Sequence, residues 1–325
     1  MSPKPPVHWA AIGESTFVAG MHFMAGLHRL LGRVPFLLVL YPVVFYYWAS
    51  RGVARRASRQ YLERMQATHN SLGHQPTWRD GVRHFLAFAD TLLDKTLALS
   101  GRYSFAGLRY EGREAVVELI ERGQGALFVT GHVGCLEMCQ VAADRRSRIK
   151  LSVLVHTAHA EQFNRMLRRL DPNPGVQLIQ VSEVGPATAV MLAERVARGE
   201  FIAIAGDRIP LDANNVTRAP FLGHDAAFPI GPYVMASLLK CPMFLMTCVR
   251  EGRGHVVRFE CLAEQVVLPR KTRPAALAHF AALYAARLEG VLASAPFEWF
   301  NFFPFWDQHL AAALPDSPAH DQPLA

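Results

Sequence analysis

Short apolar runs alternate with amphipathic stretches through the middle of the chain. The pattern predicts strands at 125–129, 151–155, 176–181 and 201–205, and helices at 113–122, about 135–145, about 159–170 and 186–198. Continuous apolar strands joined by helices are typical of parallel strands that are buried on both faces. We therefore predict an α/β fold with a mostly parallel central sheet covered by helices.

The ends of this region follow other patterns. Helices are predicted over 61–100, with a start signal at residues 76–80, and over 229–240 and 274–294. Two strands at 243–250 and 255–262 are separated by Glu251-Gly252-Arg253-Gly254. A short glycine-containing connection between two strands predicts an antiparallel hairpin.

The N-terminal region is apolar and is followed by arginines. Residues 17–31 are amphipathic, and residues 34–49 carry no charge but fall short of the roughly 20 residues that a spanning helix needs. The basic residues that follow are Arg51, Arg55, Arg56, Arg59 and Arg64. An aromatic end followed by arginines is typical of a membrane interface with its basic side in the cytoplasm. A single span, a re-entrant anchor and a buried core hairpin all remain open, and no signal-peptide layout is present.

These patterns divide the chain into three parts. Residues 1–60 are predicted to form a hydrophobic helical membrane anchor with a basic junction, residues 61–312 an α/β domain, and residues 313–325 a loose tail. The net charge of +7 is combined with a mean hydropathy of +0.11. That apolarity is unusual for a nucleic-acid binder and ordinary for an enzyme on an anionic membrane, so we predict no nucleic-acid partner.

The cysteine pattern gives no indication of a metal site. The five cysteines form no C-x-x-C pair and lie in apolar surroundings. We expect buried free thiols in a reducing compartment, and no metal.

A histidine and a glutamate follow the first apolar strand at a fixed spacing. The segment reads Thr130-Gly131-His132-Val133-Gly134-Cys135-Leu136-Glu137. Five helical steps of roughly 100° would place two residues about 140° apart, so they would not share a helix face. We expect His132 in the turn and Glu137 on the first turn of the next helix. A carboxylate that orients an imidazole makes it a better base, so this pair is the predicted catalytic pair.

The same spacing occurs twice more, and context separates the three pairs. His255 and Glu260 lie in an alternating run that predicts a strand, where an odd offset sends side chains to opposite faces. His156 and Glu161 follow an apolar strand without a glycine in the turn. Only His132 is flanked by glycines, which allow a sharp turn and leave room for a substrate.

Gly206-Asp207-Arg208 follows the strand at 201–205. In parallel sheets, active groups gather at the carboxyl ends of the strands, where His132 also lies. Asp207 and Arg208 are interpreted either as an ion pair that pins the loop or as an anion site that orients a substrate.

Together these residues resemble the lysophospholipid acyltransferase superfamily and, within it, the lipid A secondary (lauroyl/myristoyl) acyltransferases. The resemblance covers the hydrophobic N-terminus, the arginine-rich junction, the strand with Gly-His-x4-Glu, the Gly-Asp-Arg block and a Pro220-Phe221-Leu222-Gly223 loop. It is greatest to the acyltransferases of aryl polyene (xanthomonadin-type) clusters, which share similar Val-Leu-Val-His-Thr and Ile-Ala-Gly-Asp-Arg segments and a terminal aromatic block like residues 298–306.

The resemblance implies a glycerolipid acyltransferase-like fold and acyl transfer at the cytoplasmic face of the bacterial inner membrane. The donor would be an acyl thioester, usually on acyl carrier protein, and the acceptor a hydroxyl of a lipid or glycolipid. His132 would be the general base, Glu137 would hold its tautomer, and no cofactor would be needed. The substrate-binding residues are predicted to be Asp207, Arg208, Gly134, His156, Asn164 and Arg168.

Several alternatives stay open at this stage. The family usually carries an arginine-containing segment where this chain has His156-Thr157-Ala158-His159, so a lipid A acceptor is not assured. A coenzyme A-dependent lysophospholipid acyltransferase and a non-catalytic lipid- or carrier-binding subunit are the rival interpretations. The aromatic block could line an acyl groove, lie at the membrane interface or pack in the core. No G-x-S-x-G or G-x-G-x-x-G follows a strand, which disfavours a serine hydrolase or a dinucleotide enzyme.

Overall fold

The computed structural model describes residues 26, 33–99, 103, 107–136, 138–139, 150–155, 176–180, 185–210, 215–252 and 254–307. The helices in these ranges are α1 (Arg33–Ser50), α2 (Gly52–His69), α3 (Trp78–Leu99), α4 (Arg113–Glu121), α5 (Pro186–Ala197), α6 (Gly231–Leu239) and α7 (Arg273–Ser294). The strands are β1 (Leu108–Glu111), β2 (Leu127–Thr130), β3 (Leu151–Val155), β4 (Val176–Gln180), β5 (Phe201–Ala205), β6 (Val216–Phe221), β7 (His224–Pro229), β8 (Met243–Glu251) and β9 (Gly254–Ala263).

The central sheet has seven strands in the order β1-β9-β8-β2-β5-β3-β4. Every neighbouring pair is parallel except β8 and β9, which form the predicted antiparallel hairpin. The predicted α/β class and mostly parallel sheet are therefore confirmed. β2 lies between β5 and β8, which places its carboxyl end near the middle of the sheet edge.

Both faces of the sheet are covered, as the continuous apolar strands require. Leu127 and Val129 of β2 point into a core that contains parts of α2, α5, α6 and α7. Phe128, between them, points into a second core with Val116 and Leu119 of α4. The two-residue period of a strand thus divides one apolar run between two cores.

Two features of the sheet region differ from the prediction. The short strand β1 was not predicted, and Pro220-Phe221, predicted as loop, ends β6 of a two-stranded hairpin with β7. A proline is tolerated there because a strand of a two-stranded sheet has a free edge. The turn itself is confined to Leu222 and Gly223.

The N-terminal helices also depart from the expected pattern. The helical stretch predicted over 61–100 divides at its start signal, because α3 begins at Trp78, but α2 begins earlier than predicted, at Gly52. α1 has two apolar faces: Phe36, Leu40 and Val44 pack with Phe85 of α3, whereas its other side is exposed. The exposed large side chains of α1 are Leu38, Tyr41, Val43, Phe45 and Tyr46. A fully buried core hairpin does not describe this helix, and the amphipathic stretch 17–31 lies outside the described residues apart from Gly26.

One described helical segment, Arg270–Ser294, is long and apolar enough to cross a membrane, with a mean hydropathy of 1.2. It contains α7, which packs on β6 and buries Tyr284, Leu288 and Leu292 completely. These contacts bury one face of the helix in the main core. The apolar part of α1, Leu38–Ser50, is shorter.

Four of the five cysteines are buried, as expected, but Cys261 is exposed. β1 pairs with β9 only from His255 to Arg258, so the second half of β9 forms an edge of the sheet. Cys261 lies on that edge, with its thiol 3.5 Å from Oε1 of Glu264.

Candidate active site

The turn after β2 brings His132 to the carboxyl edge of the sheet, beside the turn after β5. Thr130 is the last residue of β2, and its carbonyl accepts from the amide of Gly206, 2.8 Å away. This contact continues the β2–β5 pairing beyond the strands and aligns the two turns. His132 therefore lies in a turn, as predicted, and next to Asp207.

Asp207 holds the imidazole of His132 from one side. Its Oδ1 is 2.8 Å from Nδ1 of His132, and its Oδ2 accepts from the backbone N–H of the same residue at 2.7 Å. The Asp207 side chain is fully buried, whereas 34% of the His132 side chain is exposed. A buried carboxylate thus faces a base that solvent or a substrate can reach.

Two further groups fix the carboxylate, and both come from the terminal aromatic block. Trp299 Nε1 and Asn301 Nδ2 donate to Asp207 Oδ2 at 3.0 Å and 2.8 Å. The block reaches this position because Trp299 forms an antiparallel bridge with Val133, and because the amide of Phe300 donates to the carbonyl of His132 at 2.7 Å. Residues 298–301 therefore behave as a short strand added to the His132 turn.

The electrostatics of the pair follow from this geometry. Burial alone would raise the pKa of the Asp207 carboxyl, but the charge and hydrogen bonds of His132, with the charge of Arg208, hold it well below its usual range. Asp207 is therefore an ionised acceptor, and Nδ1 of His132 must carry a proton. Nε2 then bears the lone pair, which is the state a general base requires.

The pKa of His132 is lowered from its usual value. Burial is the largest cause, the positive charge of Arg208 adds to it, and Asp207 opposes both. The smaller effect of Lys95 on α3 also lowers this pKa. The imidazole is thus neutral, and ready to accept a proton, at a lower pH than an ordinary histidine.

Arg208 extends the site beyond the His–Asp pair. Its Nε donates to Oδ1 of Asn301 at 3.0 Å, and its guanidinium carbon lies 5.7 Å from the ring centroid of Phe303. Asn301 therefore bridges Asp207 and Arg208. Asp207 pins the loop through His132 and Asn301, and the partly exposed Arg208 is close enough to lower the pKa of His132. The anion-site interpretation of Arg208 stays a prediction.

The glycines of the turn are explained by close packing. Gly134 has a φ of +56°, and a Cβ there would lie 1.9 Å from the carbonyl oxygen of Cys248 on β8. A Cβ on Gly131 would lie 3.0 Å from Oη of Tyr284 and 3.3 Å from Asp207 Oδ2. These contacts account for both glycines, and the predicted substrate contact of Gly134 stays a prediction.

The structure brings together His132, Gly134, Asp207 and Arg208. Glu137, His156, Asn164 and Arg168 lie outside the described residues, so their predicted roles stay predictions. Sequence reasoning missed Trp299 and Asn301 as parts of the site. The aromatic block was visible in the sequence, but no spacing connects it to a histidine more than 160 residues away.

The core-packing interpretation of that block is confirmed for four of its six aromatic residues. Trp299, Phe303, Phe305 and Trp306 belong to the main core. Phe302 is partly buried against α1 and α3.

A scan against protein-family models matches residues 88–308 to the family described as bacterial lipid A biosynthesis acyltransferase. The match spans most of the chain and includes β2, the His132 turn, Asp207 and residues 298–301. This chain belongs to that family, and it is an acyltransferase. A search of curated proteins found no match.

Proposed function

We propose that this acyltransferase moves an acyl chain from an acyl thioester to a hydroxyl of a lipid or glycolipid, with His132 as the general base. The observation that carries the proposal is the hydrogen bond between His132 Nδ1 and the buried Asp207 carboxylate. That bond fixes the tautomer in which Nε2 is basic, on a side chain that is partly exposed. The lipid acceptor class comes from the family match.

The proposed reaction needs no covalent enzyme intermediate. The acceptor oxygen attacks the thioester carbonyl carbon while Nε2 of His132 takes the hydroxyl proton. When the tetrahedral intermediate collapses, the C–S bond breaks and the thiolate leaves with the proton from the imidazolium. Asp207 stabilises the imidazolium in between, as the acid does in hydrolase triads. Arg208 would bind an anionic group of a substrate or the developing oxyanion.

The identity of the donor and the location of the enzyme extend this proposal. We propose acyl carrier protein as the donor, and the cytoplasmic face of the inner membrane as the site of action. The exposed apolar face of α1 supports a membrane location, because Arg51, Arg55 and Arg56 follow it directly. Aromatic polyenes are candidate acyl chains because of the resemblance described above.

The test uses full-length protein purified from membranes, acyl carrier protein charged with a labelled acyl chain, and a total lipid extract. Wild type should form a labelled lipid whose mass identifies the acceptor, and His132→Ala should form none. A second arm replaces the donor with labelled acyl-coenzyme A. Faster turnover with coenzyme A would overturn the carrier-protein donor, and equal products from wild type and His132→Ala would overturn the role of His132.

A further inference from the structure

His84, on α3, is a buried histidine that contacts residues 298–301, the segment that holds Asp207. Its Nε2 lies 2.8 Å from the carbonyl oxygen of Trp299, and its Nδ1 lies 2.9 Å from Oγ of Ser58 on α2. A carbonyl only accepts, so Nε2 must carry the proton and Nδ1 must accept from the Ser58 hydroxyl. One tautomer of His84 therefore satisfies both contacts.

Neighbouring rings hold His84 in this orientation. Its ring centroid lies 4.7 Å from that of Phe302 and 5.4 Å from that of Tyr61. The residue is 1% exposed, and burial lowers its pKa to about 4. His84 is thus a rigid, neutral donor at physiological pH.

Trp299 transmits the position of His84 to the catalytic pair. Its carbonyl accepts from His84, and its indole Nε1 donates to Asp207 Oδ2. Asn301, two residues further on, donates to the same oxygen. Two of the donors that hold Asp207 therefore depend on a short segment whose backbone is tied to His84.

We infer that His84 is a positioning residue for acyl transfer, which holds the Trp299 peptide so that Trp299 and Asn301 keep Asp207 against His132. The inference rests on the proposed role of His132 as the base. His84 acts through Trp299 and is not itself a catalytic residue. Small displacements of a catalytic group have large effects on rate, so the loss of the His84–Trp299 hydrogen bond should slow acyl transfer.

Three substitutions separate positioning from stability. His84→Phe keeps the aromatic volume beside Tyr61 and Phe302 but removes the donor to Trp299. His84→Gln keeps a side-chain N–H that can take the place of Nε2. Ser58→Ala is the matched control, because it removes the other hydrogen bond of the same histidine and leaves the Trp299 contact in place.

We expect His84→Phe to lower kcat by up to about 100-fold, with KM changed by less than about 3-fold. His84→Gln and Ser58→Ala should keep most of kcat. Circular dichroism and thermal melts check the fold. Ser58→Ala should lose less stability than His84→Phe, because it removes one of the two buried hydrogen bonds that His84→Phe removes. If His84→Phe fails to fold, His84→Asn replaces it, since its shorter amide cannot reach the Trp299 carbonyl.

The pH dependence of kcat/KM separates the two roles of His84, because lower stability alone would not shift the pKa of His132. Of the residues that the structure describes, Asp207 and Arg208 after β5 and Lys95 on α3 have the largest charge effects on His132, and of these Asp207 raises its pKa. A loosened Asp207 should therefore lower the pKa of His132, which moves the acid limb of kcat/KM to lower pH. NMR titration of the His132 imidazole without substrate should show the same shift.

The titration needs no turnover, so the two proposals can fail separately. An inactive wild type would overturn the proposed function, while the shift between wild type and His84→Phe would still decide the role of His84. The role of His84 is overturned if His84→Phe keeps wild-type kcat or leaves the His132 titration unshifted. It is also overturned if Ser58→Ala loses as much kcat as His84→Phe.

Discussion

His132 and His255 begin the same His-x4-Glu spacing and have different surroundings. His132 lies in a turn and is partly exposed, and its Nδ1–H donates a hydrogen bond to the buried carboxylate of Asp207. His255 lies in β9, is 2% exposed, and has its Nδ1 2.8 Å from Oη of Tyr103. Burial lowers the pKa of His255 to about 4.

The glutamate that follows His255 at this spacing does not contact that histidine. Glu260 forms an ion pair with Arg287 of α7, at 3.0 Å, and not with His255, as expected for an odd offset on a strand. Asp94 is the carboxylate near His255, 3.5 Å from its Nε2, and it also pairs with Arg250. Spacing alone therefore does not define a catalytic pair. A catalytic pair is defined by a partly exposed imidazole that has a carboxylate bound to one of its nitrogens.

The largest expected effect comes from removing each histidine in turn. His132→Ala should lower kcat/KM for acyl transfer by about 10⁴-fold or more, because it removes the group that is proposed to take the acceptor proton. His255→Gln should leave the rate within about 3-fold and lower stability by about 1–3 kcal/mol through the lost Tyr103 contact. Both variants are compared by the labelled-lipid assay and by thermal melts. Comparable loss of rate in the two variants would remove the distinction between the sites.

The next effect concerns the backbone that makes the His132 turn possible. Gly134→Ala should destabilise the protein by about 3 kcal/mol or more, because it combines a positive φ with a clash against the Cys248 carbonyl. Gly290→Ala, on an exposed site of α7 with no atom within 4 Å of the new Cβ, is the control and should stabilise by up to about 1 kcal/mol. Denaturant melts measure both. Equal stability of the two variants would show that the turn does not need its glycine.

A smaller effect is expected in the pH dependence of wild type. Transfer should increase as His132 loses its proton, and the midpoint of this rise should lie below the ordinary histidine value of 6.5, because burial and Arg208 lower its pKa. Arg208→Gln should move the midpoint upward, since a positive charge that disfavours the imidazolium is gone. The measurement is kcat/KM against pH at constant ionic strength. A wild-type midpoint above 6.5, or an unchanged midpoint in Arg208→Gln, would contradict this electrostatic account.

The sequence predicted the sheet well because its strands are buried on both faces. Runs such as Phe201–Ala205 are apolar throughout, and little else satisfies that pattern between two helices. β1 was missed because it alternates polar and apolar residues over only four positions. The hairpin β6–β7 was missed because Pro220 suggested a loop.

The active site could be predicted only where its residues share a local pattern. His132 follows an apolar strand and has glycines on both sides, and Asp207 follows another strand, so both were found. Trp299 and Asn301 reach Asp207 through a bridge to Val133 that no sequence spacing encodes. His84 was missed for the same reason, since its partners lie on α2 and in residues 298–301.

The central claim is that His132 is a base held by Asp207, and two amide substitutions test it most directly. Asp207→Asn and Glu137→Gln are compared with wild type for kcat in the labelled-lipid assay, with circular dichroism as the check on folding. The account predicts that Asp207→Asn folds and loses about 10³- to 10⁴-fold in kcat, because the amide no longer fixes the Nδ1–H tautomer. Glu137→Gln should lose less. A wild-type rate in folded Asp207→Asn, or a larger loss in Glu137→Gln, would contradict the claim.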